Sequence, residues 1–368
     1  MRTKTAAAAA LVLALFLAPA PSAGAMTTTP NDRIFVIYVN IGWNSPNLGS
    51  DYDSLDFFRR IADPERKPNE SDVSPNDYKP DIVVANEVPH GAAEGDGTWH
   101  DKYGFDQKLE EYVGGEWSYV HSDNPESTTA VFFRSDRFTK VAEASWPELT
   151  GAGCTAEERG QNEVAVKLDP VYKVANVIAS SVHFEAGAST SCLGDNLKRA
   201  NSRIEYHWAV RPLTVLAGDF NERPEPPDDN PDTGNREWRI EDSPWCWWRD
   251  FNAEENCSPP SGWYYDAVRA RNWSPSNPGD ICSEWTRENS YRSSNEQADQ
   301  CESDKARIDY IWARWEDSNG SPETTLGRIE GATADRGWWN KPGSSDEYDA
   351  QHRRYSDHRA VRAVIRIE

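Results

Sequence analysis

Basic residues are scarce in this chain. It carries 39 lysines and arginines against 61 aspartates and glutamates, for a formal net charge of −22, and no run of Lys and Arg forms a tail. That balance excludes general adhesion to polyanions through the overall field. A polyanionic substrate would have to be met by local basic side chains or by a bound cation. C-x-x-C spacing is absent as well, which removes the usual sequence signature of a zinc site. The chain has neither an internal repeat nor a domain-sized linker. It also lacks an apolar run long enough to cross a bilayer comfortably.

The apolar stretch it does have, over 6–18, follows Arg2 and Lys4 and precedes Ala23-Gly24-Ala25. Short basic start, apolar middle and small-residue site are the three parts of a secretory signal peptide. The expectation is cleavage after Ala25, secretion to the extracellular space, and a single domain over 26–368. Six cysteines remain: Cys154, Cys192, Cys246, Cys257, Cys282 and Cys301. An even count in an exported chain favours disulfides. Proximity in sequence suggests Cys154–Cys192, Cys246–Cys257 and Cys282–Cys301.

Short apolar runs read as buried strands over 34–39, 81–85, 129–133, 163–168, 174–182, 213–217, 307–312 and 360–367. Helical spacing appears over 52–61, with Leu55, Phe58 and Ile61, over 105–112, and over 196–210, with Leu197, Ile204 and Trp208. Strands and helices interleave irregularly, which suggests two packed sheets flanked by helices. Two tracts stand apart and read as loops: 222–306, rich in Pro, Asp, Asn and Trp and holding four of the cysteines, and 317–355, which contains Trp338 and Trp339.

Several strands end on residues that carry chemistry. The strand at 213–217 runs into Gly218-Asp219-Phe220-Asn221. Asp219 and Asn221 are two apart, so in extended chain they share a face. A carboxylate beside an amide suits an attacking water and a developing phosphorane oxygen. Ser356-Asp357-His358 offers a side chain that titrates near neutrality beside an oxygen ligand for a hard cation. Glu87 closes the strand at 81–85 and is a second such ligand. His183 ends the strand at 174–182, and Asn40 ends the one at 34–39. Asp309 sits inside an apolar strand, where a carboxylate needs a His or Arg partner. Taken singly, each of these also reads as a strand-end turn or a solvated loop.

Taken in order, Asn40, Glu87, His183, Asp219 with Asn221, Asp309 and Ser356-Asp357-His358 resemble the deoxyribonuclease I-like endonuclease/exonuclease/phosphatase superfamily. The resemblance spans 40–367. It implies a four-layer α/β sandwich of two mixed sheets flanked by helices, with the site at one end. It further implies that Glu87, with Asn40 and Asp357, holds Mg²⁺ or a similar ion (Mn²⁺ or Ca²⁺). His358 would be the general base, oriented by Asp309. Asp219 and Asn221 would align water and stabilise the transition state, and His183 would bond a phosphate oxygen or assist the leaving group. Two departures stand out. Asn86 falls where many relatives have Gln, and Asn44 follows Asn40 closely. His183, in place of the Tyr of relatives acting on abasic DNA, points to the deoxyribonuclease I, toxin-nuclease and sphingomyelinase branches.

The leading expectation is a secreted, metal-dependent phosphodiester hydrolase that cuts DNA or RNA, with Arg353, Arg354 and Arg359 meeting phosphate and Arg134 as a further basic candidate. The alternative is a sphingomyelinase-like enzyme acting on a phospholipid membrane surface through Trp338 and Trp339. A catalytically silent binding module is a third class, opposed by the retention of Asp219, Asn221, Asp309 and His358. No obligate protein partner is evident.

Overall fold

The computed structural model describes residues 28–41, 57–58, 61–62, 78–88, 104–122, 128–146, 154, 163–171, 176–186, 190–208, 213–221, 264–268, 287–288, 305–306, 308–316, 322–323, 328–334, 356, 358 and 360–367. In chain order the elements are β1 (Arg33–Asn40), β2 (Ile82–Val88), α1 (Phe105–Tyr112), β3 (Trp117–His121), β4 (Thr128–Arg134), β5 (Phe138–Trp146), β6 (Glu163–Pro170), β7 (Val177–His183), α2 (Thr190–His207) and β8 (Leu213–Asp219). The two-residue strands β9 (Tyr265–Asp266), β10 (Arg287–Glu288) and β11 (Lys305–Ala306) come next. They are followed by β12 (Asp309–Glu316), β13 (Pro322–Glu323), β14 (Ile329–Ala334) and β15 (Val361–Arg366).

One sheet has the order β14-β15-β1-β2-β4-β3. The other has β12-β8-β7-β6-β5, with β13 and β9 added on β12. Each sheet is built around one parallel pair, β1/β2 and β7/β8, and its other pairings are antiparallel. Side chains alternate across a strand, and β1 shows the result. Ile34, Val36 and Tyr38 point into a core shared with Val166, Val177, Val215 and Ile311 of the other sheet. Phe35, Ile37 and Val39 point outward to a second core with Phe57, Phe58, Phe105 and Leu109. A strand buried on both faces must be apolar throughout, so 34–39 reads as an unbroken hydrophobic run.

The outer layers follow the same logic. Phe105 and Leu109 lie one turn apart on α1 and are buried, with Phe105 stacked on Phe132 at 4.4 Å. Each such phenyl ring contributes about 1.5–3 kcal/mol by leaving water. The helix stops where Gly114 (φ 79°) and Gly115 (φ 88°) take up the left-handed conformation that glycine accommodates. On the second sheet, Leu197, Ala200, Ile204 and Trp208 pack against Ile178, Leu216 and Trp312. The layers are therefore helix, sheet, sheet, helix, as expected. At the end of the sheets where β2 begins, buried Asp81 accepts the Phe35 N–H at 2.8 Å and pairs with Arg137 at 2.9 Å.

Some expectations need correction. β3, β5 and β14 are strands that no apolar run announced. β5 has mostly exposed or half-buried residues, because it is an edge strand with one face towards solvent. β14 reads Ile-Glu-Gly-Ala-Thr-Ala and falls in a tract expected to be loop. β9, β10 and β11 fall inside the other such tract. β12 runs on to Glu316, since Trp315 extends its buried face. α2 begins at Thr190 and ends at His207, earlier at both ends than the spacing predicts. Cys154 and Cys192 are bonded. Cys246, Cys257, Cys282 and Cys301 lie outside the described residues.

Candidate active site

The two parallel pairs bring their carboxyl ends to the same end of the sandwich. β1 ends at Asn40, in register with Asn86 of β2, and β7 ends at His183, in register with Asp219 of β8. β12 runs the other way and starts at Asp309, directly opposite Asp219. By the period-two rule, Asn40, His183, Asp219 and Asp309 all face the space between the sheets. Crevices at the carboxyl ends of strands are where α/β folds place ligands.

Glu87 would break this pattern if its strand were regular, since alternation points it outward. It does not do so, because β2 carries a bulge. Ala85 pairs with Ala130 but Val88 with Thr128, so β2 has one residue more than β4 across that interval. Bulges re-aim side chains. Glu87 has φ 54°, and its Oε1 accepts a hydrogen bond from Asn40 Nδ2 at 2.9 Å. Val88, displaced in turn, joins the outer core. A left-handed glutamate is strained by roughly 1–3 kcal/mol.

The side chains converge closely. Asn40 Nδ2 also lies 3.2 Å from Asp219 Oδ2. His183 Nε2 lies 3.8 Å from Glu87 Oε1 and 3.9 Å from Asp219 Oδ2. His358 Nδ1 is 2.8 Å from Asp309 Oδ2, and its Nε2 is 3.9 Å from Asp219 Oδ2. With Nδ1 committed to Asp309, the imidazole presents Nε2 to the pocket, and the carboxylate fixes that orientation. The His358 N–H bonds Ser356 Oγ at 3.1 Å, which sets the turn that carries the ring. Asn221 (φ 50°) gives its backbone N–H to Asp219 Oδ1 at 2.8 Å, and its Nδ2 donates to the Phe184 carbonyl at 2.7 Å.

Burial sets the charge balance. Asp219 is pushed up to about 8, first by burial and then by the negative charge of Asp309, with His358 opposing and Glu87 adding to the rise. Clustered buried carboxylates hold protons because their mutual repulsion is unrelieved, and a hard divalent cation relieves the same repulsion. Glu87 and Asp219 are hard oxygen donors of the kind such ions select, so the residues fit a metal. Asp219, Asp309 and His358 also offer ligand atoms within 4.8 Å of one another. There the short Asp309–His358 contact favours a hydrogen-bonded pair over a chelate.

Of the residues singled out from sequence, Asn40, Glu87, His183, Asp219, Asp309 and His358 come together, with Asn221 beside them. Asp357, Arg353, Arg354 and Arg359 lie outside the described residues. Arg134 is not at the site. It is buried near the opposite end of the sheets and bonded to Asp136. Sequence reasoning missed Tyr38 and Ser181, although each lies two residues before a site residue on the same strand face.

No protein-family model matches the chain, and no curated protein matches it in sequence. Solved structures do match in fold. The endonuclease/exonuclease/phosphatase protein of Bacteroides vulgatus superposes with a TM-score of 0.51 at 14% identity, covering 91% of this chain and 99% of that one. A humanized D. rerio TDP2 gives 0.51 at 14% identity, covering 90% and 98%. D. rerio TDP2 complexed with a single-strand DNA product gives 0.50 at 13% identity, covering 90% and 98%. The chain has the endonuclease/exonuclease/phosphatase fold.

Proposed function

We propose that this sandwich is an exported phosphodiester hydrolase that cuts DNA or RNA. The observation that carries the reading is the Asp309–His358 pair, 2.8 Å long. It aims the other imidazole nitrogen at a pocket where Asn40 and His183 each lie within 4 Å of both Glu87 and Asp219. A single-strand DNA product bound to a protein of this fold supports nucleic acid as the substrate class.

In this reading His358 Nε2 takes the proton of a water held beside Asp219, and Asp309 stabilises the resulting imidazolium. The water oxygen bonds to phosphorus as the P–O bond opposite breaks, and donors placed around the phosphoryl oxygens stabilise the charge that develops there. His183 faces the same space and hydrogen-bonds a phosphoryl oxygen or the leaving oxygen. Glu87, with Asn40 and Asp357, would hold a hard divalent cation (Mg²⁺, Mn²⁺ or Ca²⁺). When bound, such an ion supplies charge neutralisation and Lewis-acid polarisation of the phosphate. That cation also answers the electrostatic difficulty of an acidic protein handling a polyanion.

Trp338 and Trp339, on which a lipid substrate would depend, lie outside the described residues, and no described feature favours that substrate. The deciding assay incubates purified protein with plasmid DNA, RNA, sphingomyelin and a phosphate monoester, with Mg²⁺, Mn²⁺ or Ca²⁺ and with chelator. Metal-dependent cleavage of DNA or RNA is the expected outcome. Hydrolysis of sphingomyelin alone would overturn the nucleic-acid reading and keep the phosphodiester hydrolase.

A further inference from the structure

Beneath the site, a set of polar side chains joins the two sheets. Tyr38 and Asn86 come from one sheet, and Ser181, Asp219 and Asp309 from the other. All five are essentially buried. The Tyr38 hydroxyl donates to Asn86 Oδ1 at 2.7 Å. Asn86 Oδ1 also accepts the backbone N–H of Asp219 at 3.0 Å. Asn86 Nδ2 donates to Ser181 Oγ at 3.0 Å and to its neighbouring Ala85 carbonyl at 3.3 Å. Ser181 Oγ lies 3.2 Å from the same carbonyl.

The inventory of this amide is complete. It has two acceptor sites and two donor hydrogens, and all four have partners. A fully satisfied buried network specifies one arrangement, where a half-satisfied one would cost stability. The rest of the interface here is aliphatic. Val36, Val84, Val177 and Val215 exclude water but do not fix strand ends to a fraction of an ångström. The hydrogen bonds act at the level where Glu87 leaves one sheet and Asp219 the other.

Tyr38 holds this amide in place. Its ring occupies the shared core, and a phenol is neutral at about pH 7, so its hydroxyl acts as a donor to Asn86. Asn86 in turn holds the backbone of Asp219, which lies directly opposite Asp309, the partner of His358.

Resting on the hydrolase reading, we infer that Tyr38, together with Asn86, is a positioning residue: its hydroxyl fixes the amide that ties the strand end of Glu87 on one sheet to the strand end of Asp219, opposite Asp309, on the other, and so sets the geometry of the two halves of the site.

Tyr38→Phe removes the hydroxyl and keeps the ring, while Tyr38→Leu removes both. A packing role alone leaves Tyr38→Phe like wild type and damages only Tyr38→Leu. A positioning role lowers kcat in folded Tyr38→Phe by about 10–100-fold, the usual loss when a partner behind a ligand or catalytic group is removed, with KM unchanged. A second readout does not need turnover. The His358 Nδ1 proton, bonded to Asp309, gives a downfield NMR resonance that moves in Tyr38→Phe if the Tyr38–Asn86 bond helps set the paired strand ends of Asp219 and Asp309. Wild-type kcat together with an unmoved resonance would overturn the inference. Should the wild type cleave no phosphodiester, the hydrolase reading falls, and the resonance decides the inference alone: a shift supports the link and an unmoved signal refutes it.

Discussion

At the scale of single residues, the proposed chemistry divides into groups that react and groups that hold them. Replacing His358 by Ala in a folded protein should lower kcat by roughly 10²–10⁴-fold, the usual worth of a positioned base. Asp309→Asn should also lower it, since the imidazole loses its orienting charge. Steady-state kinetics on the two variants, with circular dichroism to show that they fold, provide the check, and undiminished turnover in His358→Ala would remove its assigned role. A different residue controls pH-dependent stability. Glu163 is buried on the outer face of β6, accepts the Ser180 hydroxyl at 3.0 Å and has Arg203 3.9 Å away. Burial pushes its carboxyl up from 4.5 to about 8, with Arg203 and then Ser180 opposing. Between those two values the folded form holds a proton that the unfolded form has lost, so this group's contribution to stability falls as pH rises through the window and levels off above it. Glu163→Gln cannot ionise. Its stability relative to wild type should therefore climb between about pH 5 and about pH 9, by on the order of a few kcal/mol at most, read as a growing difference in melting temperature. A difference that stays flat across that range would show that Glu163 ionises freely in the fold.

At the scale of elements, close packing of strand ends matters as much as the side chains they carry. Gly218 sits where β7 and β8 meet, and a Cβ there would fall 2.0 Å from the Val182 carbonyl oxygen. Gly218→Ala must push the two strands apart. It should cost about 1–3 kcal/mol and should depress activity further by displacing Asp219 from His183. Denaturant titration and kinetics on the same sample test both effects, and a variant as stable as wild type would mean that the strands can separate freely. The disulfide between Cys154 and Cys192, with a sequence separation of 38, should contribute about 3–4 kcal/mol on loop-closure grounds. Cys154→Ser with Cys192→Ser should melt correspondingly earlier, and an unchanged melt would refute that contribution. The eight strands legible in the sequence are those that both sheets or a helix cover, because double burial writes an apolar run. β5 escaped notice because one face meets solvent, and β14 because beyond Ile329 its described buried residues are only Gly331 and Ala332. The order of site residues was legible because strand ends punctuate apolar runs with polar ones. The direction of Glu87 was not, because a bulge reverses the alternation on which such a reading depends. Nor was the Tyr38–Asn86 link, which depends on how two sheets face each other and leaves no spacing in either strand.

At the scale of the whole molecule, an excess of negative charge surrounds a pocket that already holds buried carboxylates. Added Mg²⁺ or Mn²⁺ should raise the melting temperature by binding only the folded form, and Glu87→Gln should abolish that rise. Chelator should abolish hydrolysis in step, and full activity in demonstrably metal-free protein would exclude the cation. The topology adds a constraint of another kind. β1 is flanked by β2 on one side and β15 on the other, and Arg33 pairs with Arg366 across nearly the whole chain. The residue proposed as base, His358, comes only just before β15. A ribosome would therefore have to pass His358 and reach β15 before the first strand gained its second neighbour or the site its imidazole. If the chain cuts nucleic acid as proposed, the fold itself would keep the nascent chain harmless to its own cell until that last segment has emerged.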